Sequence, residues 1–128
     1  MSEQLFISQQ FTDPGGFTSG IEGPACDAEG NLYAVNYARQ HTLGKVTPAG
    51  ECSVFIELPN GSIGNGIRFN RAGFMFIADY TNHNILKVDM KTRKISVHAH
   101  EPTMNQPNDI AIGANDIMNM TPYSAIER

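Results

Sequence analysis

The sequence has no tryptophan, only two cysteines and no excess of positive charge. With 9 Lys and Arg residues against 13 Asp and Glu, its net charge of −4 argues against a nucleic-acid partner. No apolar run reaches the roughly 18 residues of a membrane helix, so no membrane partner is expected. The first ten residues lack a basic region followed by an apolar stretch, so no signal peptide is predicted. Cys26 and Cys52 are therefore expected as free thiols, and a cytoplasmic location is predicted.

A repeat of 43 residues organises the chain. Residues 23–36, GPACDAEGNLYAVN, align with residues 66–79, GIRFNRAGFMFIAD, and Tyr37 then falls on Tyr80. A third copy begins at Pro107. Repeats of roughly 40–45 residues that hold several short strands are typical of β-propeller blades. The pattern therefore predicts an all-β fold, a β-propeller of four-stranded blades.

Turn residues divide the chain into four segments. Residues 1–19 are expected to hold an outer strand, at residues 5–11, and the linker of a closing blade. Residues 20–63 are predicted as blade 1, residues 64–106 as blade 2 and residues 107–128 as a partial blade 3. Because a closed propeller has about 4–8 blades, these 128 residues make an incomplete ring of about two and a half blades.

The repeat weakens near the end of the sequence. Ile117 and Met118 still match Phe74 and Met75, but residues 119–122, NMTP, replace an apolar run. A proline lacks the N–H donor that a central strand needs. We therefore expect the strand to fail after Met118 and the outward blade faces to be open. Open apolar faces with unpaired strand edges favour self-association.

One polar residue stands at the same position of each repeat: Glu22, Asn65 and Asn108, each 43 residues from the next. The first strand of a propeller blade lines the central channel, so these side chains are expected to converge. A carboxylate with amide oxygens suits Ca²⁺ best among hard cations, with Mg²⁺ or Mn²⁺ as alternatives, and does not resemble a zinc site. Asn65-Gly66 and Asn108-Asp109 are alternatively simple turn elements, since asparagine often satisfies nearby backbone groups.

Four stretches carry a resemblance that covers residues 5–118. They are residues 20–33, GIEGPACDAEGNLY, residues 59–69, PNGSIGNGIRF, residues 78–89, ADYTNHNILKVD, and residues 105–111, NQPNDIA. In combination they resemble the gluconolactonase/regucalcin (senescence marker protein) family, whose members are six-bladed β-propellers. Members of that family bind a divalent metal, often Ca²⁺, in the channel, and many hydrolyse sugar or related lactones.

The resemblance implies a role for each repeated polar residue. Glu22 matches a metal ligand, Asn108 a channel asparagine near metal and substrate, and Asn65 a channel-lining position. The family's other ligands and its general base come from later blades, so no catalytic residue is assigned here. Since a hard cation wants six or more oxygens, weak or absent metal binding and little lactone hydrolysis are expected from these 128 residues alone. Whether the chain is an enzyme stays open.

Two other interpretations remain at this point. The repeat also resembles NHL-type propeller modules, which bind a partner or ligand; Glu22 favours the metal enzyme over this alternative. A homodimer could close a six-bladed ring with twofold symmetry, each N-terminal strand completing the third blade of the other copy.

The histidines are expected to play lesser roles. His41 and His83 occupy equivalent loop positions, which predicts a recurring loop hydrogen bond. His98 and His100 alternate with apolar residues on an outer strand, which predicts a solvated face.

Overall fold

The computed structural model describes residues 6–122, which form ten β-strands and no helix. The first sheet consists of β1 (Ile21–Cys26), β2 (Leu32–Asn36), β3 (Thr42–Val46) and β4 (Cys52–Glu57). The second consists of β5 (Gly64–Phe69), β6 (Met75–Asp79), β7 (Asn84–Val88) and β8 (Ile95–His100). The third pairs β9 (Pro107–Ile112) with β10 (Met118–Pro122). Within the described residues there is accordingly no helix that could cross a membrane.

Each sheet is an antiparallel meander in which consecutive strands pair. The repeat is visible in the register, because Ile21 pairs with Asn36 in the first sheet as Gly64 pairs with Asp79 in the second. The prediction of an all-β fold with four-stranded blades is confirmed.

The turn after the first strand of each four-stranded sheet is built by one polar side chain. Asp27 Oδ1 accepts the backbone N–H of Asn31 at 2.9 Å, and Asn70 Oδ1 accepts that of Phe74 at 3.0 Å. Gly30, with φ of 83°, takes the left-handed conformation that this tight turn requires. The two hairpins therefore close in the same way with different residues.

The main hydrophobic core lies between the first and second sheets. Strand β2 contributes Tyr33 and Val35, and β6 contributes Met75 and Ile77. Burial of each such large side chain stabilises the fold by about 1.5–3 kcal/mol. The other buried members of this core are Leu43, Phe55, Ile56, Leu58, Ile67, Leu86 and Val88.

The third sheet continues further than the sequence predicts. Strand β10 runs through Pro122, so the expected failure after Met118 is wrong. Met118 and Met120 keep the inward register and pack on the cluster that includes Phe76 of the second sheet. Backbone pairing with β9 does not depend on the apolar side chains that the sequence loses here, and β10 has β9 as its one pairing partner among the described strands. A proline is tolerated on such an edge strand.

The outward side of the third sheet is polar. Asn119 and Thr121, which alternate with the two methionines, are exposed. The equivalents of Asn119 and Thr121 in the second sheet are Phe76 and Ala78, which are buried. This outward face is therefore solvated rather than an open apolar surface.

The N-terminal segment also differs from its prediction. Residues 6–11 form no strand and pair with none of the described strands. Residues 11–18 instead cross the outward face of the first sheet, where the Phe17 ring lies directly on Gly44. Under them Ala34 is 0% and Val46 4% exposed, so the expectation of an open face does not hold for the first sheet.

Candidate functional site

The first strands of the three sheets lie side by side. At Gly23 an added Cβ would stand 2.1 Å from the carbonyl oxygen of Asn65, and at Gly66 it would stand 2.8 Å from that of Asn108. The two contacts are equivalent, because their residues lie 43 positions apart in the repeat. The first joins the first and second sheets, and the other joins the second and third sheets. Only glycine permits strands to approach this closely. The repeat thus brings the backbones of the three predicted positions into one row.

A bulge lies at this end of the first strand in each four-stranded sheet. The pairing register shifts between Glu22 and Ala25 in β1, and between Gly64 and Ile67 in β5. Bulges bend a strand and re-aim its side chains, and they are common next to functional sites. Asn65 lies inside one irregular stretch, and Glu22, which pairs with Val35, stands at the start of the other.

Two of the three predicted site residues share a cavity. Glu22 and Asn65 line a cleft of about 260 Å³ between the first and second sheets. Glu22 is exposed and Asn65 half-buried. Asn108 is also half-buried, but it does not belong to the lining of this cleft. The structure therefore brings the first two side chains together and leaves the third at the next sheet boundary.

Two tyrosines that sequence reasoning had not assigned to the site line the same cleft. Tyr37 follows β2 and Tyr80 follows β6, again 43 residues apart. Their backbone N–H groups donate to the carbonyls of Gly20 at 3.1 Å and Ile63 at 2.8 Å, which holds both at the same end of their sheets. The sequence could have predicted this position, because an antiparallel hairpin places the end of its second strand beside the start of its first strand. Tyr37 and Tyr80 each follow such a second strand.

A buried aspartate fixes the rim of the cleft in the second sheet. Asp79 is 0% exposed, and its Oδ2 accepts the hydroxyl of Ser62 at 2.7 Å and the side-chain amide of Asn84 at 3.0 Å. Its Oδ1 accepts the hydroxyl of Thr81 at 3.2 Å and the backbone N–H of Asn82 at 3.3 Å. Four donors on one carboxylate hold the loop that carries Tyr80 against the segment that leads into β5.

The equivalent residue in the first sheet is an amide. Asn36 is 2% exposed, and its Oδ1 accepts the backbone N–H groups of Ala38 and Arg39, each at 3.1 Å. Its Nδ2 donates to the carbonyl of Phe17 at 3.2 Å. The rim beside Tyr37 is therefore attached to the N-terminal segment, whereas the rim beside Tyr80 is attached within its own sheet.

The oxygen atoms that line the cleft are of the type that a hard cation prefers, but they are too few to coordinate one fully. Glu22 offers a carboxylate and Asn65 an amide oxygen, which are oxygen ligands of the type that Ca²⁺ prefers. Among the described residues, no three His, Cys, Asp or Glu side chains stand together as a metal site. Because Ca²⁺ takes six to eight oxygens, these residues do not by themselves complete a coordination sphere.

A second cavity adjoins the first. It measures about 680 Å³ and shares Tyr37, Gln40 and Ile63 with the cleft. His41 and Glu57 line it with their side chains 3.6 Å apart. Sequence reasoning had placed no site here, since these residues come from a loop and a strand end with no shared motif.

The histidines largely follow their predictions. The backbone carbonyls of His41 and His83 accept equivalent N–H groups, from Leu58 at 2.7 Å and from Glu101 at 3.2 Å, whereas their side chains contact different partners. His98 and His100 are exposed on β8, as predicted for a solvated face.

The fold has solved relatives among β-propellers. The chain superposes on a catalytically inactive variant of virginiamycin B lyase from Staphylococcus aureus, solved with quinupristin, with a TM-score of 0.67 and 19% identity; the match covers 79% of this chain and 34% of that one. For a streptogramin B lyase the TM-score is 0.68 at 20% identity, over 80% of this chain and 34% of that one. For a proposed gluconolactonase the TM-score is 0.64 at 15% identity, and the match covers 80% of this chain and 36% of that one.

These likenesses confirm the prediction of a β-propeller: the chain has the fold of consecutive propeller blades. It spans about a third of the length of the propellers it matches. At these identities the likeness shows the fold alone. The sequence matches no family profile and no curated protein.

Proposed function

We propose that this chain is part of a metal-dependent lactone hydrolase of the gluconolactonase type, and that the 128 residues alone are inactive or nearly so. The observation that supports this most is the cleft shared by Glu22 and Asn65, two residues that the repeat relates and that the family resemblance places in the channel. The solved relatives include a proposed gluconolactonase, which agrees with the resemblance at the level of the fold.

The residues of the cleft have different roles in this proposed reaction. Glu22 supplies a negative oxygen ligand and Asn65 a neutral one, while Asn108 extends the row at the next sheet boundary. A divalent cation in such a site, Ca²⁺ or else Mg²⁺ or Mn²⁺, would act as a Lewis acid toward a lactone carbonyl. Tyr37 and Tyr80, which also line the cleft, would flank a small lactone there.

The same cleft explains why we expect little activity. Two or three protein oxygens leave most of the coordination sphere of a hard cation to water. No carboxylate besides Glu22 lines the cleft, so it offers no separate general base for a water molecule. Weak metal binding without a positioned base leaves the lactone largely unactivated. We place the chain in the cytoplasm, where its free thiols, Cys26 and Cys52, stay reduced.

A lactone hydrolysis assay with the purified chain tests the proposal, run with and without Ca²⁺. We expect no turnover above the spontaneous rate, and calcium binding with a Kd of about 10⁻³ M or weaker. Glu22→Gln should abolish that weak binding. Glu29→Gln, in the turn between β1 and β2 and therefore at the other end of the sheet, is the matched control and should keep it. Rapid calcium-dependent hydrolysis by the monomer would contradict the proposal.

A binding module of the NHL type is the second candidate. The adjoining cavity of about 680 Å³, with Arg39, His41 and Glu57 in its lining, favours it because charged groups of both signs there suit a polar ligand or peptide. Tight binding that survives Glu22→Gln and is lost on His41→Ala would favour this candidate over the hydrolase.

A further inference from the structure

The dipeptide Asn-Gly occurs at residues 60–61 and again at residues 65–66. In this dipeptide an asparagine loses its side-chain amide most readily. The reason is that glycine leaves the following peptide nitrogen unshielded and lets the backbone bend toward the asparagine side chain. The two copies lie close together in the sequence, but the structure places them in different surroundings.

The first copy forms an exposed tight turn between β4 and β5. Asn60 and Gly61 have φ of 55° and 69°, and the N–H of Ser62 donates to the carbonyl of Pro59 at 3.0 Å, as in a type I′ turn. Both central residues are exposed, and no other atom lies within 4 Å of the place that a Cβ on Gly61 would take. The turn therefore has room for a change in its backbone.

The two groups that react in a deamidation have no partner in this turn. Within residues 6–122, neither the Gly61 N–H nor the side-chain amide of Asn60 makes a hydrogen bond. The backbone carbonyls are held instead, that of Asn60 by the side-chain amide of Asn82 at 3.2 Å and that of Gly61 by the hydroxyl of Thr81 at 3.1 Å. The attacking nitrogen and the carbon that it attacks are thus both open to water.

The second copy lies inside strand β5 and is packed. Asn65 is half-buried and Gly66 is buried. A Cβ added at Gly66 would stand 2.6 Å from Oδ1 of Asp109 and 2.8 Å from the carbonyl oxygen of Asn108, so β9 lies directly against this glycine. The backbone can bend here only after a local opening of the packed strands.

We propose that Asn60 is a site of spontaneous deamidation and that Asn65 is protected from it by the fold. The Gly61 nitrogen loses its proton to water and attacks Cγ of Asn60. A C–N bond forms, the bond from Cγ to Nδ2 breaks, and Nδ2 leaves as ammonia, so a cyclic succinimide remains. Water then opens the ring at either carbonyl and leaves an aspartate or an isoaspartate.

The reaction adds a negative charge to the adjoining cavity of about 680 Å³. Asn60 lines this cavity together with Arg39, His41 and Glu57. Either product places a carboxylate beside these charged groups. A ligand that this cavity binds therefore meets a more negative wall in an aged chain than in a fresh one.

The isoaspartate has a second effect, on the rim of the cleft. It leads the main chain through the former side chain, which lengthens the turn by a carbon atom and disrupts the bond between Ser62 and Pro59. The Ser62 hydroxyl donates to the buried Asp79 at 2.7 Å, so the change reaches the carboxylate that holds the loop of Tyr80. The aged chain is therefore less stable than the fresh one.

Peptide mapping of the 128-residue chain after incubation in mildly alkaline buffer tests the assignment. Trypsin releases residues 46–68 as one peptide that holds both asparagines, and its fragmentation locates a mass gain of about one dalton. In the folded chain Asn60 should convert at least about tenfold faster than Asn65, which waits for a local opening. In denaturant the two should convert at similar rates, since the fold no longer protects either.

Asn60→Gly is the matched variant, because glycine keeps the left-handed turn and has no amide to lose. Ageing should lower the denaturant midpoint of the unmodified chain, followed by circular dichroism, and leave that of the variant unchanged. Equal rates for the two asparagines in the folded chain, or faster conversion of Asn65, would overturn the assignment. An equal loss of stability in the aged variant would overturn the effect on the rim.

Discussion

The two four-stranded sheets share one backbone plan but exchange an acid and an amide. In the first sheet the turn after β1 is built by Asp27 and the buried rim position is Asn36; in the second the turn residue is Asn70 and the rim residue is Asp79. All four side chains accept hydrogen bonds from nearby backbone N–H groups. Both copies of the repeat therefore have a side-chain oxygen acceptor at each position, but the side chain is charged in one copy and neutral in the other.

The difference between the sheets lies in what surrounds each acceptor. Asp79 meets four donors, which a carboxylate can accept on its two oxygens. Asn36 meets two donors and also the Phe17 carbonyl, to which only an amide can donate. An aspartate thus closes the second sheet on itself, and an asparagine joins the first sheet to residues 11–18, which we call the strap. Exchanging these residues tests the comparison.

The largest effect is expected from Asp79→Asn, which places the residue of the first sheet in the second. The amide replaces one acceptor oxygen by a donor that faces the Ser62 hydroxyl and the Asn84 amide. Because this leaves buried donors without an acceptor, we expect the free energy of unfolding to fall by about 3 kcal/mol. The chain has no tryptophan, so denaturant unfolding is followed by circular dichroism.

A double-mutant cycle with Ser62→Ala controls for unrelated damage. The losses from Asp79→Asn and Ser62→Ala should be non-additive, since both disturb the same hydrogen bond. Additive losses would show that the carboxylate does not act through Ser62.

The reverse exchange, Asn36→Asp, should have a smaller effect. The two backbone donors keep their acceptor, but the bond to Phe17 is lost and two oxygens face each other. We expect a loss of about 2 kcal/mol, measured in the same unfolding experiment. The thiol of Cys52, which lies against Gly16 of the strap, should also react faster with a disulfide reagent, because the strap loses an attachment. Unchanged stability together with an unchanged rate at Cys52 would refute this role of Asn36.

The smallest effect is expected from Asp27→Asn and depends on pH. Burial alone would raise the pKa of Asp27, but hydrogen bonds from the side chain and backbone of Asn31, from the Tyr33 hydroxyl and from Glu29 outweigh it and lower the pKa. The unfolded carboxylate, with a pKa of about 4, therefore takes up a proton before the folded one does.

It follows that Asp27 stabilises the fold above pH of about 4 and loses this contribution as the pH falls through its lower folded pKa. The Asp27→Asn chain carries the turn residue of the second sheet and should lack this part of the acid dependence. Unfolding curves of both chains between neutral and acidic pH measure it. Parallel curves for the two chains would contradict the prediction.

The parts of the fold that follow from the repeat could be predicted from the sequence. The period aligned Glu22 with Asn65, and the structure places both in one cleft. It also aligned Tyr37 with Tyr80, although their place in the cleft follows only when the hairpin geometry is considered. Such residues are predictable because equivalent positions of a repeat occupy equivalent places in space.

The parts that do not follow from the repeat were predicted wrongly or not at all. The strap has no counterpart in the second sheet, and the contact of Phe17 with Gly44 joins residues that no pattern relates. Strand β10 keeps its pairing after its outward residues turn polar, because backbone hydrogen bonds do not require an apolar side chain. The contact of Phe17 with Gly44 is a matter of long-range packing, for which a single sequence carries little signal.

We propose that the blades are covered on one side by the strap and end on the other in a polar sheet face, and that the cleft of Glu22 and Asn65 offers too few oxygens to hold Ca²⁺ tightly. The native mass in solution, measured with and without Ca²⁺, tests this most directly. The account predicts a monomer of 14.0 kDa that does not respond to Ca²⁺. A calcium-stabilised dimer of twice that mass would contradict it and favour a ring completed by two chains.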